Sequence, residues 1–370
     1  MSVATETRTQ QKTGRMPWLD NLRVALIALV VLHHLAIIYG HAGPWYYLAP
    51  PTDDVATIAA LLFLLFNQSW FMGLFFAISG YLTPASFDRK GAAPFARDRL
   101  MRLGAPLALY VLVLAPLATL AGSIGRGAEP PPYLDAIGLG PAWFIEVLLL
   151  FTAGYVAWRL RRSGAPRAEE RPLRVWAVIL FIIGLAGTTY LWRFIVPFGS
   201  YIEVVDLPSA FEAPQYVALF VAGIVAARRG WIATLPTRFG ILGAVAVGIA
   251  TATLLPLAIL HPDEMNGGGT WQSAALALWE AVMATGLPLV LIVIFRRFLP
   301  RQGRLGRELS GSAFAVFILH ALVITVVAVA LSALALPPLP GFLAAAGVSL
   351  PLSFLLAAGL RRLPGLRKVL

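Results

Sequence analysis

The sequence predicts an all-α fold: a polytopic integral membrane bundle of about ten transmembrane helices with both termini cytoplasmic. Three observations carry this reading. The 370 residues are 59% hydrophobic and only 13% charged, with a mean hydropathy of +0.78, which excludes an ordinary soluble domain. Apolar runs long enough to cross a bilayer recur along nearly the whole chain. Cations fall between alternate runs, as they do where an even number of helices returns the chain to the same side.

Taken in order, residues 1–15 form a polar N-terminal tail with Arg8, Lys12 and Arg15. The tail lacks the apolar core and small-residue cleavage site of a signal peptide. A transmembrane domain over 16–360 and a basic cytoplasmic tail over 361–370 follow. The apolar spans lie near 22–42, 55–82, 103–122, 140–160, 175–197, 213–227, 240–260, 272–295, 313–335 and 341–360. The second is long and is interrupted by Asn67-Gln68-Ser69, where a tilt, a break or a cavity lining is expected. The sixth is short. No internal repeat, low-complexity tract or long linker divides the chain.

Charge sets the orientation. With the N-terminus cytoplasmic, the inner segments hold 27 of the 29 Lys+Arg residues; only Arg126, outside, and Arg193, within the fifth span, remain. The outer loops carry nine of the 18 acids, among them Asp53, Asp54, Glu203, Asp206, Asp263 and Glu264. The net charge of +11 therefore reports topology and gives no sign of nucleic acid. The absence of cysteine excludes disulfide and thiol chemistry.

The candidate chemistry begins in the first span. At about 100° per residue, the step from Arg23 to His34 closes to within roughly 20° of whole turns, so both side chains share a face about 16 Å apart along the axis. His33 points some 80° away, and His41 returns to the His34 face. Arg23 alone reads as a snorkelling cation, and His34 alone as a hydrogen-bonded interior residue. Together, with Asp20 one turn before Arg23, they suggest a working face: a neutral histidine accepts a proton from a hydroxyl, and an arginine holds a phosphate or carboxylate. Gly73, Ser79 and Gly80, inside Gly73-Leu-Phe-Phe-Ala-Ile-Ser-Gly-Tyr81, suit close helix approach. Arg99 and Arg102 share a face in the following basic loop, either as a topology signal or as a grip on a cytosolic polyanion. Glu146, Arg193, Glu280 and His320 place further polar groups within spans, as partners of one another or as a polar path between the two sides. There is no catalytic serine triad and no metal-ligand spacing.

These residues carry a resemblance. The chain is similar to the acyltransferase family 3 membrane proteins in its Arg23–His34 spacing, its Phe75-Phe-Ala-Ile-Ser-Gly-Tyr81 segment, its Arg99–Arg102 loop and its Leu319-His320 pair. The order is kept across roughly residues 15–360; Trp143-Phe-Ile-Glu146 only approximates the family's fourth-span pattern. The resemblance implies an inner (plasma) membrane O-acyltransferase with acyl-CoA as cytosolic donor substrate and no permanently bound cofactor. The acyl group, acetyl or succinyl-like, would pass to a hydroxyl of a glycan or sugar-containing acceptor. It assigns His34 to base or relay chemistry, with Arg23, Glu146 and His320 as further catalytic candidates. Arg99, Arg102, Arg23 and Ser79 become the donor-binding candidates. A proton-coupled transporter or flippase for an anionic solute would use the same polar interior and stands as the alternative.

Overall fold

The computed structural model describes residues 16–162, 171–201, 209–265 and 267–365. The N-terminal tail, the last five residues and Glu203 and Asp206 lie outside them. The described residues hold ten helical segments long and apolar enough to cross a membrane, and no strand.

The first helix, α1 (Pro17–Gly40), starts with proline at its first position, where the missing N–H costs nothing and the fixed φ suits a helix. Its first turn carries Asp20, which favours the positive end of the helix dipole. It ends at Gly40 because His41 adopts left-handed backbone, with φ 50°. Asp53 caps α2 (Asp54–Gln68) by accepting from the Ala56 N–H at 2.7 Å. The expected interruption is a break at Ser69 and Trp70, after which α3 (Phe71–Lys90) continues the second span.

The third span, Ala92–Arg126, is built of α4 (Ala92–Arg99), α5 (Ala105–Leu109) and α6 (Ala115–Arg126), joined by wide π-type turns at Leu100–Gly104 and Tyr110–Leu114. Pro106 and Pro116, which lack N–H donors, fall just after those turns. Two short 3₁₀ turns, Tyr133–Ala136 and Gly140–Ala142, lead into α7 (Trp143–Arg161). Next come α8 (Val175–Trp192) and α9 (Ala213–Arg228), the latter opened by a 3₁₀ turn at Ala210–Glu212. The chain closes with α10 (Trp231–Thr234), α11 (Thr237–Ile259), α12 (Pro262–Met265), α13 (Trp271–Phe298), α14 (Arg304–Ser332) and α15 (Pro338–Leu360).

At the centre, α14 touches α1, α6 and α15, while α13 packs on α11, α8 and α1. The pair α3–α9 approaches to backbone contact. A Cβ at Gly80 would lie 2.0 Å from Phe220 O, and one at Gly223 would lie 2.1 Å from Ala77 O. Apolar side chains gain little by leaving lipid, so such small-residue contacts supply the dispersion and backbone complementarity that hold membrane helices together. The packing role expected for the glycines of the Phe-Phe-x-x-Ser-Gly segment is therefore present. One end of the bundle, the basic end, collects Arg89 and Lys90 of α3, Arg97 and Arg99 of α4, Arg159 and Arg161 of α7, Arg228 of α9 and Arg296 and Arg297 of α13.

Candidate active site

His34 and His320 meet across the interface of α1 and α14. His320 Nε2 lies 3.2 Å from His34 Nδ1. His320 Nδ1 lies 2.6 Å from the Phe317 carbonyl oxygen, and His34 Nδ1 lies 2.9 Å from the Val30 carbonyl oxygen. Carbonyl oxygens only accept, which fixes the tautomers of the neutral pair. His320 donates from Nδ1 and accepts at Nε2. His34 shares its Nδ1 proton between Val30 O and His320 Nε2, leaving its own Nε2 with a lone pair. That nitrogen makes no hydrogen bond among the described residues. His320 is fully buried.

Two aromatic contacts fix the rings. Trp45, from the loop after α1, stacks on His34 with centroids 4.6 Å apart and planes 29° from parallel. Its indole N–H donates to Thr325 Oγ1 of α14 at 3.2 Å, so the same helix that carries His320 also anchors the ring covering His34. His33 stacks on Phe71 of α3 at 4.9 Å, and its Nδ1 is buried without a hydrogen-bond partner among the described residues. On the basic-end side of the pair lies an aromatic floor. Phe317, one helical turn before His320, contacts Phe144, which in turn contacts Phe75 and Phe76 of the Phe-Phe-x-x-Ser-Gly segment.

Both histidines of α1 line a cavity of about 930 Å³ on the side away from the basic end. The loops before α2 and α7 close over it, contributing Trp45, Tyr46 and Gly140. Tyr46 and Tyr110 share a hydroxyl hydrogen bond of 2.8 Å, and the Arg126 guanidinium donates to the Tyr46 carbonyl. Gly140 adopts φ +42°, and a Cβ there would lie 2.6 Å from the Tyr46 hydroxyl, so the turn needs glycine on both counts. Polar groups in the wall are Gln68, Arg126, Asp135, Ser209 and Glu212; Trp143 and Phe317 complete its aromatic surface. A hydroxyl-bearing molecule in this space can present its O–H to His34 Nε2 while stacking on indole faces.

The structure brings together only part of the predicted set. Arg23 sits eleven residues before His34 on α1, roughly 16 Å along the axis, and pairs with Asp20 at 3.6 Å instead of lining the cavity. His41 does not extend the His34 face; beyond the end of α1, its Nε2 lies 3.0 Å from the Ala49 carbonyl oxygen. Glu146 is half-buried on α7 and does not line the cavity. Ser79 does not line it either, and its carbonyl accepts from Thr83 Oγ1 at 2.7 Å. At the basic end, Arg102 pairs with Asp98 at 3.0 Å, and Arg99 lies over the Phe95 ring at 5.3 Å. Arg193 and Glu280 form a buried ion pair, with Arg193 Nη2 2.7 and 2.6 Å from the two carboxylate oxygens. Three cavity residues escaped sequence reasoning. Glu212 counted among the outer-loop acids, Trp45 carried no periodic signal, and Gln68 was visible only as part of the interruption in the second span.

Comparison with known proteins then decides between enzyme and transporter. The chain is 23% identical over 324 residues to glucans biosynthesis protein C of Salmonella schwarzengrund (strain CVM19633), covering 82% of this chain and 80% of the relative. The proteins of that name from Salmonella heidelberg (strain SL476) and Salmonella typhi show the same identity and coverage. No solved structure matches the chain. The acyltransferase domain of the family 3 type matches residues 16–358, from the residue before α1 into α15. Because that match takes in the whole bundle and not a single motif, the chain belongs to acyltransferase family 3 and is a membrane-embedded acyltransferase.

Proposed function

We propose that the protein transfers an acyl group from cytosolic acyl-CoA to a hydroxyl of a glycan or sugar-containing acceptor, with His34 as the general base. The observation that carries this is the unpartnered Nε2 of His34 in a large aromatic and polar cavity, with the opposite ring nitrogen tied to His320 and Val30. His34 Nε2 takes the acceptor's hydroxyl proton as its oxygen attacks the thioester carbonyl. The carbon–sulfur bond breaks, and the proton returns from His34 to the leaving thiolate, giving ester and free CoA. The imidazolium formed in between keeps its Nδ1–H directed at His320 Nε2 and Val30 O, which stabilise its charge. Arg99 and Arg102 are assigned to the donor's phosphates at the basic end, with Arg23 between that end and the histidines. Glu146 and Ser79 lie outside the cavity that holds His34, and no part of this step is assigned to them.

The basic end faces the cytoplasm in this reading, following the concentration of cations there. Donor and acceptor then approach from opposite sides of the membrane. The similar proteins are bacterial, which supports placement in the inner membrane. The test is release of free CoA by purified protein with acetyl-CoA or succinyl-CoA. Loss of a general base costs two to four orders of magnitude, or about 3–5 kcal/mol. His34→Ala should abolish transfer, while His33→Ala should retain much of it at equal abundance. A dead His33→Ala beside an active His34→Ala would refute the assignment.

A further inference from the structure

Glu212 is a buried acid that the transfer step does not use. It sits in the 3₁₀ turn opening α9, is 2% exposed, and lines the same cavity as His34. A carboxylate at this point would ordinarily cap the helix by accepting from its first N–H groups. Here it makes no capping hydrogen bond, and Pro214 removes one of the donors. One carboxylate oxygen, Oε2, accepts from the Gln215 side chain at 2.8 Å. The same Gln215 nitrogen donates to the Ser69 carbonyl at 3.0 Å, tying Glu212 to the break between α2 and α3. The other oxygen, Oε1, has no hydrogen-bond partner among the described residues. The carboxyl group forms no ion pair among the described residues; Arg193, close enough to act on it electrostatically, pairs with Glu280. Burying a carboxyl group with only one of its oxygens hydrogen-bonded is costly to a fold. In the wall of the cavity, the open oxygen is available to a ligand.

The neighbouring groups match. Gln68 Nε2 donates to the Tyr216 hydroxyl at 2.8 Å, which leaves the Gln68 amide oxygen as an acceptor at the cavity. The Tyr216 hydroxyl also shares a 2.8 Å bond with Ser209 Oγ. Trp143 stacks on Tyr216 and presents its surface to the same space. Two oxygen acceptors beside an indole suit a ring that brings several O–H donors.

We infer that Glu212 and Gln68 form an acceptor subsite that binds a second hydroxyl on the ring being acylated and so turns the reacting hydroxyl toward His34. The inference rests on the acyl-transfer reading and adds to it a residue that determines acceptor specificity. Glu212 is a positioning residue here, not a catalytic one, because it binds beside the reacting atoms.

The experiment uses the full chain in lipid nanodiscs, with acetyl-CoA as donor and methyl glucoside as probe acceptor. Initial rates of CoA release give KM for each substrate. Glu212→Gln keeps the shape and removes one acceptor atom and the charge. It should raise the KM for methyl glucoside by roughly tenfold, the worth of one hydrogen bond to a charged group, with the KM for acetyl-CoA moved less than twofold. An unchanged acceptor KM in Glu212→Gln overturns the subsite. So does an equal loss for both substrates, which would mark a structural role. A wild-type rate indifferent to any glycoside overturns the hydroxyl assignment. His34→Ala run in parallel separates these from failure of the transfer reading itself: if it remains active, the base assignment falls, whatever Glu212 does.

Discussion

His320 offers the sharpest test of how the histidine pair works. His34 holds its Nδ1 proton between two acceptors, Val30 O at 2.9 Å and His320 Nε2 at 3.2 Å. In the proposed reaction His34 takes up the acceptor's proton, and that shared N–H becomes the donor of a charge-assisted hydrogen bond. Replacing His320 by leucine removes one acceptor and leaves the other, so the tautomer survives and only part of the imidazolium's stabilisation is lost. A hydrogen bond to a charged group contributes about 1.5–3 kcal/mol, and each 1.36 kcal/mol is tenfold in rate. His320→Leu should therefore slow kcat by roughly 10- to 150-fold, with both KM values nearly unchanged. His320→Gln, which can return an amide oxygen near the position of Nε2, should recover much of the loss. The assay is CoA release under saturating donor and acceptor, with melting temperature measured alongside because position 320 is fully buried. A His320→Leu variant as dead as His34→Ala, with normal melting, would refute the supporting role and make His320 a reacting group. A variant at full rate would show that the 3.2 Å contact contributes nothing to the transition state.

Other expectations follow from the packing and the charge layout. Glu280→Leu strands the fully buried Arg193 guanidinium and should destabilise the protein by about 3–5 kcal/mol, whereas Arg193→Met combined with Glu280→Leu should recover most of that in a thermal melt. Gly80→Val drives a side chain into the Phe220 carbonyl and should cost about 3 kcal/mol or more, read as lost monodisperse protein; Gly359→Ala, with open space around it, is the control. Arg99→Glu with Arg102→Glu should weaken CoA binding by purified protein with little change in abundance, and an unchanged affinity would return that loop to a topology signal. The cysteine-free chain also permits labelling in intact cells with an impermeant thiol reagent: Glu129→Cys should react and Gly303→Cys should not.

The sequence was most legible where physics leaves a periodic trace. Membrane-length apolar runs located all ten spans, and Asn67-Gln68-Ser69 marked the break in the second because polar side chains in such a run need a local reason. His34 and His320 were each found as ionisable groups inside spans. Their pairing was not, because nothing in two segments 286 residues apart states that their helices touch. The shared face of Arg23 and His34, with roughly 16 Å between them along the axis, was legible from helix geometry, but that Arg23 pairs with Asp20 and lies outside the cavity was not. His41 failed for a different reason, since the left-handed residue that ends α1 is His41 itself, and helical phase means nothing past it. Glu212 was hidden by its position just before a short span. There the chain folds back into the bundle through a 3₁₀ turn with no periodicity to read.

The aromatic floor beneath the histidines has a consequence for the membrane as an insulator. Two imidazoles within hydrogen-bonding distance are a proton wire in miniature, and one of them opens onto a cavity. Phe317, Phe144, Phe75 and Phe76 interpose hydrocarbon between that wire and the basic end. Phenyl rings offer no site at which a hopping proton could rest, and the desolvation they impose on a hydronium ion is severe. These rings thus place apolar surface between the histidine pair and the basic end. Under the proposed acyl transfer, a donor arriving from the basic end would have to part these rings to reach His34.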